Sequence, residues 1–166
     1  MISSAQICPA KTTDAAEIAA IWKPILAGSL ATFNPVVKST TDIETMITDK
    51  ADAGFAFLVA KDADGVLGFA TYGQFRGGVG YARTMEHTII LADRAQGCGL
   101  GRQLMHAIED HARTGGAHSI FAGVSAANQQ GVAFHARLGY EEVARLPSVG
   151  YKFDKYLDLV LMQKFL

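Results

Sequence analysis

The sequence lacks the features that mark exported, membrane-spanning and nucleic-acid-binding proteins. It has only two cysteines, Cys8 and Cys98, and nothing around them indicates an oxidising compartment, so we expect both to be free thiols. No apolar run approaches the roughly 20 residues that span a bilayer, and residues 1–10 have neither the basic nor the apolar region of an export signal. We therefore expect a cytoplasmic protein without a membrane partner.

The sequence also lacks an excess of charge of either sign. Fifteen basic and sixteen acidic side chains leave a formal net charge of -1, which creates no field that would attract a phosphate polymer. Nucleic acid is therefore not expected as a partner. No cluster of His, Cys and carboxylate residues has the spacing of metal ligands, so no metal is expected either.

The chain has enough apolar material for one compact unit. Its 166 residues are 49% hydrophobic, which falls in the range of a single domain with a real core, here residues 1–166. Apolar runs and period-two alternation predict strands at residues 2–10, 55–61, 66–72, 82–91, 119–124, 140–146 and 157–165. Helical spacing predicts helices at residues 14–26, from a cap at Thr41 or Asp42 to Lys50, and at about 100–113 and 128–138. Within the first helix, Pro24 is expected to cause a kink or an early end. Because strands and helices do not alternate strictly, we expect a mixed α+β sheet flanked by helices.

The strand at residues 82–91 contains the charged residue of greatest interest. Alternation places Met85, His87, Ile89 and Leu91 on one face and Thr84, Glu86, Thr88 and Ile90 on the other. Glu86 and His87 therefore point to opposite sides of the predicted sheet. We interpret His87 as a core residue or as one that supports the site from behind.

A glycine-rich turn joins this strand to the third helix. The segment consists of Gln96, Gly97, Cys98, Gly99, Leu100, Gly101 and Arg102. Glycines allow close backbone approach, and the first amides of a helix have no internal partner, so the segment can bind an anion such as a phosphate. A glycine-rich turn can equally serve only to let a helix pack closely on a strand, and the local sequence leaves both interpretations open.

Two motifs in this order resemble the GCN5-related N-acetyltransferases, the GNAT superfamily. The first is Gln96-x-x-Gly99-x-Gly101, and the second runs from Asn128 through Phe134-His135-Ala136-Arg137 to Leu138-Gly139-Tyr140. Further segments resemble the phosphinothricin and methionine sulfoximine acetyltransferases: Phe33-Asn34-Pro35, Tyr72-Gly73-Gln74-Phe75-Arg76, Met85-Glu86-His87-Thr88, Val149-Gly150-Tyr151-Lys152-Phe153 and Leu157-Asp158-Leu159-Val160. The resemblance implies a three-layer fold with a mainly antiparallel sheet of six to seven strands and about four helices. It also implies acetylation of the α-amino group of a small amino acid analogue by acetyl-CoA, in a homodimer whose sites lie near the interface.

The resemblance also implies how acetyl-CoA is held. The loop from Gln96 to Arg102 would bind its pyrophosphate, and the backbone of Ile89, Ile90 and Leu91 would pair with its pantetheine arm as an added strand does. Asn128 would hold the pantetheine or the region near the thioester. From its position alone Asn128 is equally a helix N-cap, and the two roles are compatible.

Glu86 is the candidate for the general base. The acceptor's ammonium must lose a proton before it attacks a thioester, and a carboxylate whose pKa is raised by burial can accept that proton. A structural ion pair with Arg83 is the alternative for this residue, and the resemblance favours the catalytic role. His135 lies where much of the superfamily has a tyrosine, so it would protonate the CoA thiolate or hydrogen-bond the sulfur. A packing role for His135 stays open.

The acceptor is expected to meet Arg76 and Phe33. A guanidinium can bind a carboxylate or phosphinate through two parallel hydrogen bonds, and Phe33 would form a wall of the pocket. Tyr81, Arg83 and Lys152 are weaker candidates for the same pocket. Two other functions remain alternatives: acetylation of a protein or peptide N-terminus, and a regulatory module that binds acyl-CoA without turnover.

Overall fold

A seven-stranded mixed sheet forms the centre of the protein. The computed structural model describes residues 5–166. In chain order the strands are β1 (Gln6–Pro9), β2 (Phe57–Asp62), β3 (Gly65–Gln74), β4 (Thr84–Leu91), β5 (Ser119–Ser125), β6 (Glu141–Lys152) and β7 (Lys155–Phe165). The helices are α1 (Ala15–Gly28), α2 (Thr40–Asp52), α3 (Leu100–Thr114) and α4 (Gln129–Arg137). The strand order is β1-β2-β3-β4-β5-β7-β6, and every pair is antiparallel except β4 with β5. The predicted α+β class, sheet type and number of elements are confirmed, while residues 2–4 of the predicted first strand lie outside the described part.

The two faces of the sheet bury separate cores. One face packs on α1 and α2 through residues such as Phe57, Phe69 and Ile90, and we call it the front face. The other, the back face, packs on α3 through residues that include Met85 and Ile120. The alternation predicted for β4 is therefore confirmed.

Strands β4 and β5 separate soon after they meet. Their parallel pairing covers only Thr84–Glu86 of β4 and Ser119–Phe121 of β5. Beyond these residues the strands have no ladder between them, and a cavity lined by residues of both strands lies there. The gap between β4 and β5 therefore begins where their pairing ends, at Glu86 and His87.

The ends of the first two helices differ from the sequence prediction. Helix α1 continues four residues beyond Pro24 to Gly28, so the expected early end is wrong. Pro24 removes one backbone donor, but Ala20, whose carbonyl loses that donor, is exposed on the helix surface, where water can take its place.

The cap of α2 is Ser39 and not Thr41 or Asp42 as predicted. The Ser39 hydroxyl accepts from the Asp42 amide at 3.1 Å, and the Asp42 carboxylate accepts from the Ser39 amide at 2.7 Å. This reciprocal pair fixes the start of the helix.

The last two strands form a longer hairpin than predicted. Phe153 and Asp154 connect them with φ values of 52° and 57°, which is the backbone of a two-residue turn with left-handed residues at both positions. The hairpin carries residues 149–152 back to the C-terminal end of α1. Its position there decides the shape of the functional site.

Candidate active site

The glycine-rich loop forms an open cradle at the start of α3. Gly97 and Gly99 have φ values of +73° and +83°, and a Cβ at either position would meet no heavy atom within 4 Å. Gly101 behaves differently, because a Cβ there would lie 3.1 Å from the ring of Phe134 and 3.2 Å from Leu91. The packing interpretation of the loop therefore applies at Gly101, while the geometry at Gly97 and Gly99 is compatible with the anion-binding interpretation. The first two glycines leave room for an anion at the helix N-terminus, and the third allows α3 to pack closely.

A cleft of about 470 Å³ leads from this loop along the back face. Its walls include Gln96, Gly97, Gly99, Gly101 and Arg102 of the predicted binding loop, with Ile89, Leu91 and Asn128. Leu100 is buried in the core below the cleft, Ile90 is buried against α1, and the Cys98 thiol donates to the Ala95 carbonyl at 3.0 Å. Most of the residues predicted to hold a cofactor thus share one cleft.

A second cavity of about 760 Å³ continues the cleft through the gap between β4 and β5. It shares Ile89, Gln96, Asn128 and His135 with the first and reaches Ile25 and Thr32 beside the end of α1. The two cavities together form a channel from the glycine loop on the back face to the front face. A long, narrow ligand fits such a path.

Glu86 lies beside Gly123, a residue that lines this channel. Its Oε1 is 2.9 Å from the point that a Cβ of Gly123 would occupy, so the missing side chain of Gly123 makes room for the carboxylate. Within residues 5–166 Glu86 forms no salt bridge, and the alternative pair with Arg83 is not formed. The residue as a whole is exposed, but partial desolvation of its carboxyl raises the pKa above the ordinary value for glutamate.

His135 is buried on α4 with a defined orientation. Its Nδ1 lies 2.7 Å from the carbonyl oxygen of Gly131, and because a carbonyl only accepts, Nδ1 must donate. Nε2 is buried and has no protein partner in the described chain. Desolvation lowers the pKa of His135, although the bond to Gly131 and the nearby Glu109 carboxylate oppose this effect. The neutral imidazole therefore presents the lone pair of Nε2, a hydrogen-bond acceptor.

Aromatic and charged groups support His135 from behind. His87 stacks on it with ring centroids 5.0 Å apart, and Tyr140 meets it edge-on at 5.3 Å. The Tyr140 hydroxyl donates to Glu109 at 3.0 Å, and Lys164 donates to the same carboxylate at 2.6 Å. Full burial holds the pKa of His87 well below its usual range, so this residue is a neutral core group, as the sequence indicated.

Asn128 caps α4. Its Oδ1 accepts from the Gly131 amide at 2.9 Å, which confirms the predicted N-cap. The residue also lines both cavities of the channel, so the cap does not remove it from the cleft.

The residues predicted to bind the acceptor are distributed around the front face. Phe33 packs against Gly150, where a Cβ would lie 2.6 Å from the ring. Arg76 is exposed with its guanidinium 5.6 Å from the Phe75 ring centroid, and Tyr81 and Arg83 are exposed further along the same loop. Arg76 and its loop lie beside the start of β4, since the Phe75 amide donates to the Thr84 carbonyl at 2.9 Å.

Lys152 has a supporting position. The residue is 2% exposed, and its ammonium donates to the carbonyl oxygens of Ser29 at 2.5 Å, Thr32 at 2.9 Å and Ile25 at 3.4 Å. These carbonyls belong to the last part of α1 and the loop that follows. The lysine predicted for the acceptor pocket thus ties residues 29–32, which line the channel, to the β6–β7 hairpin.

A third cavity of about 250 Å³, which we call the front cavity, opens on the front face, and Gly123 in its wall lies beside the Glu86 carboxylate. Its walls include Trp22, Lys38, Thr88, Gly123 and Ser125, in addition to Phe33. Of these residues, only Phe33 was predicted from the sequence to belong to the site. The periodicity of α1 predicted only that Trp22 is buried, and no local motif marks Lys38 or Ser125.

The described part of the chain also sets limits on other kinds of site. None of its helices has the length and apolar character needed to cross a membrane. Residues 5–166 contain no group of three or more His, Cys, Asp or Glu residues placed to hold a metal ion.

Comparison with known proteins gives consistent results. Residues 24–140 match the profile of the Acetyltransferase (GNAT) family. An L-methionine sulfoximine/L-methionine sulfone acetyltransferase from Pseudomonas aeruginosa is 36% identical over 161 residues, which cover 96% of this chain and 94% of the relative. A phosphinothricin N-acetyltransferase from Alcaligenes faecalis is 30% identical, with 91% and 77% covered. The structure of an acetyltransferase from Salmonella typhimurium with its cofactor acetyl-CoA superimposes with a TM-score of 0.94 at 32% identity, over 99% of this chain and 95% of that one.

Proposed function

The chain belongs to the acetyltransferase (GNAT) family, and we propose that it transfers an acetyl group from acetyl-CoA to the α-amino group of a small amino acid analogue. The analogue is of the methionine sulfone, methionine sulfoximine or phosphinothricin type, since relatives with these activities match most of the chain. The observation that carries the proposal is the place of Glu86. Its carboxylate lies beside Gly123, and Gly123 lines both the channel and the front cavity.

The chemistry of the channel suits acetyl-CoA. The open cradle at Gly97 and Gly99 offers backbone donors and the positive end of the α3 dipole to a pyrophosphate. The edge of β4 at Ile89–Leu91 has no ladder on the β5 side and is free to pair with an amide-bearing arm. Acetyl-CoA supplies the acetyl group as an activated thioester. The loop, β4 and Asn128 would orient that thioester toward the front end of the channel.

Glu86 would remove the proton from the acceptor's ammonium. Its raised pKa brings the carboxylate closer in basicity to an amine, and it has no cation partner among the described residues to hold it in the ionised state. Its carboxylate lies beside Gly123, which lines both the front cavity and the channel, and its strand borders the channel. It can therefore take up the proton where the amine meets the thioester.

His135 would hold the thiol of the product coenzyme A as a hydrogen-bond acceptor, and would not itself stabilise the departing thiolate. In the neutral tautomer that donates to Gly131, Nε2 has no proton to give. It can accept the hydrogen of the coenzyme A thiol once the departing thiolate has taken a proton from solvent. Of the two predicted roles, this geometry favours the hydrogen bond over proton donation.

The protein would act as a homodimer. Exposed apolar residues are concentrated on the β6–β7 hairpin, at the edge of the sheet, where they form a hairpin patch of Val143, Leu146, Val149, Tyr151, Phe153 and Tyr156. A patch of this kind on an edge hairpin favours a partner surface, and it lies next to Gly150 and Lys152, which shape the front face. Light scattering of the purified protein tests the dimer.

The two free cysteines are consistent with a cytoplasmic location, which cell fractionation tests.

A thiol-release assay tests the function. With acetyl-CoA and methionine sulfone, methionine sulfoximine or phosphinothricin, we expect release of coenzyme A and one N-acetyl product for at least one of them, identified by mass spectrometry. A peptide with a free N-terminus, supplied at the same concentration, represents the alternative acceptor. Faster acetylation of the peptide would assign the enzyme to N-terminal acetylation. Tight acetyl-CoA binding without turnover of any acceptor would indicate a regulatory module.

A further inference from the structure

We propose that the front cavity is the subsite for the side chain of the acceptor, and that Lys38, Trp22 and Ser125 recognise the oxygens at the end of that side chain. We call this cavity, lined by Trp22, Lys38, Thr88, Gly123 and Ser125, the tail subsite. The inference rests on the proposed function and adds to it which part of the acceptor enters which part of the site.

The position of the tail subsite relative to Glu86 supports this assignment. Thr88 follows Glu86 by two residues on the same face of β4, and Gly123 on β5 borders both the carboxylate and the subsite. Arg76 lies in the other direction, beside Thr84 at the start of β4. An amino acid whose amine meets Glu86 can therefore extend its side chain into the subsite while its carboxylate faces the Arg76 loop.

Lys38 gives the subsite its charge. It is the one charged side chain among the described residues that line the cavity, it is half-buried, and it forms no salt bridge within residues 5–166. Its ammonium stands 5.7 Å from the centroid of the Trp22 ring, which holds the cation at the cavity wall. Asp42 is the acidic group near it, and its carboxylate already accepts from the Ser39 amide at 2.7 Å. Lys38 can therefore pair with a ligand.

Two further donors lie in the same wall. Trp22 is 7% exposed, and its indole N–H has no hydrogen-bond partner in the described chain. A buried donor without a partner is unfavourable, so an acceptor atom on a ligand within its reach would stabilise it. Ser125 is buried as well, and because its Oγ accepts from the Ala127 amide at 3.3 Å, its hydroxyl hydrogen is free to be donated.

The set of donors selects the chemistry of the tail. An ammonium, an indole N–H and a hydroxyl all donate, and no carboxylate lines the cavity in the described chain. Sulfone, sulfoximine and phosphinate groups each offer strong oxygen acceptors on a tetrahedral centre at the end of a short chain. The phosphinate also carries a negative charge, and a charge-assisted bond to Lys38 should therefore favour it more than the neutral sulfone.

The sole tryptophan of the chain makes the subsite observable. Because Trp22 is the one Trp in the sequence, a tail that enters the subsite should change the intrinsic fluorescence of the protein. Phosphinothricin and methionine sulfone would be titrated separately into the full-length protein with coenzyme A held at saturation. We expect a saturable change in emission with each, at concentrations that match the KM for the same acceptor.

Lys38→Met tests the charge, with Lys23→Met as the control because Lys23 is exposed on α1 and lines none of the three cavities. We expect Lys38→Met to weaken phosphinothricin binding by roughly tenfold and methionine sulfone binding much less, with the KM for acetyl-CoA unchanged. Lys38→Arg should retain most of the preference for phosphinothricin, and Lys23→Met should behave as the wild type does.

The outcomes separate this inference from the proposed function. If both acceptors are acetylated but neither changes the Trp22 emission, the tail lies elsewhere and the inference is wrong. Equal losses for both acceptors in Lys38→Met would mean that Lys38 holds the α-carboxylate, which also overturns it. If the wild type acetylates neither acceptor, the proposed function itself fails.

Discussion

The ring of Phe33 lies against the backbone of Gly150, so closely that a Cβ at position 150 would come within 2.6 Å of the ring carbons. The two residues are far apart in sequence and meet because the β6–β7 hairpin returns to the end of α1. Gly150 is therefore needed here for its lack of a side chain and not for its backbone conformation.

Gly150→Ala should move Phe33 and change the wall of the acceptor site. The added methyl group would overlap the rigid aromatic ring, so the ring must move away from position 150. We therefore expect the KM for the acceptor to rise roughly tenfold while the KM for acetyl-CoA stays close to that of the wild type. Steady-state kinetics with each substrate varied in turn measures the effect. Gly115→Ala is the control, since a Cβ there meets only ordinary contacts at 3.4 Å and beyond. Equal changes in both KM values would show that Phe33 does not border the acceptor.

Lys152→Met should destabilise the protein through the loop that follows α1. The substitution keeps the aliphatic volume but leaves the carbonyls of Ser29 and Thr32 without their donor, at a cost of about 3 kcal/mol. Urea unfolding monitored by circular dichroism measures the free energy. Lys155→Met, an exposed change on the same hairpin, should have little effect. A stable Lys152→Met protein that has lost only acceptor binding would return Lys152 to the acceptor site.

Glu86→Gln should preserve acetyl-CoA affinity and slow the chemical step by about 10²-fold or more, the scale of general base catalysis. The carboxyl acts only when ionised, and desolvation raises its pKa. The kcat/KM of the wild type should therefore rise as pH increases through that pKa and again as the acceptor amine deprotonates, and the variant should keep only the amine limb. Glu44→Gln on α2 is the control. A variant with the wild-type rate and profile would limit Glu86 to positioning.

Gly99→Asp should abolish acetyl-CoA binding, whereas Gly99→Asn should retain part of it. Asp and Asn have the same shape and both tolerate the left-handed backbone at φ +83°, so the comparison isolates the charge at the cradle. A carboxylate at the start of α3 would repel the pyrophosphate. Isothermal titration calorimetry measures both affinities, and similar values for the two variants would place the pyrophosphate elsewhere.

His135 should be neutral at pH 7 with its proton on Nδ1. Burial lowers its pKa, and the Gly131 carbonyl requires a donor at Nδ1. Long-range proton–nitrogen NMR of ¹⁵N-histidine-labelled protein reads both the charge and the tautomer. Raising the pH from 6.5 should then cause no loss of kcat/KM from this residue, because its ring is already neutral. A cationic ring, or one protonated on Nε2, would support a general acid.

Several features could be predicted from local sequence because local forces create them. The turn at residues 62–65 and its apolar flanks produced the β2–β3 hairpin, the alternation of β4 placed Glu86 and His87 on opposite faces, and Asn128 capped α4 as its position indicated. The two GNAT motifs pointed to the same family that the comparisons show. Each of these signals lies within about a dozen residues.

The early helix end predicted at Pro24 is wrong, and the acceptor-binding role predicted for Lys152 missed its contacts with α1. In both cases the deciding contacts are tertiary. Pro24 removes one hydrogen bond, but packing of Trp22 and Leu26 on the front face holds the helix as far as Gly28. Lys152 looked like a ligand-binding cation, because nothing near it in sequence shows that its ammonium is shared among carbonyls more than 100 residues away.

The sequence by itself, with the resemblance that it carries, determined the fold class and marked the glycine loop, Glu86 and His135 as candidates. Tertiary structure alone decided which residues surround the candidate acceptor site: Gly123 beside Glu86, Gly150 beneath Phe33, and Lys38 over Trp22. Backbone propensities and apolar periodicity act between neighbours in the chain, so a single sequence displays them. The site is formed where α1, the loop after it, β4, β5 and the β6–β7 hairpin meet, and those contacts exist only once the sheet order brings distant segments together.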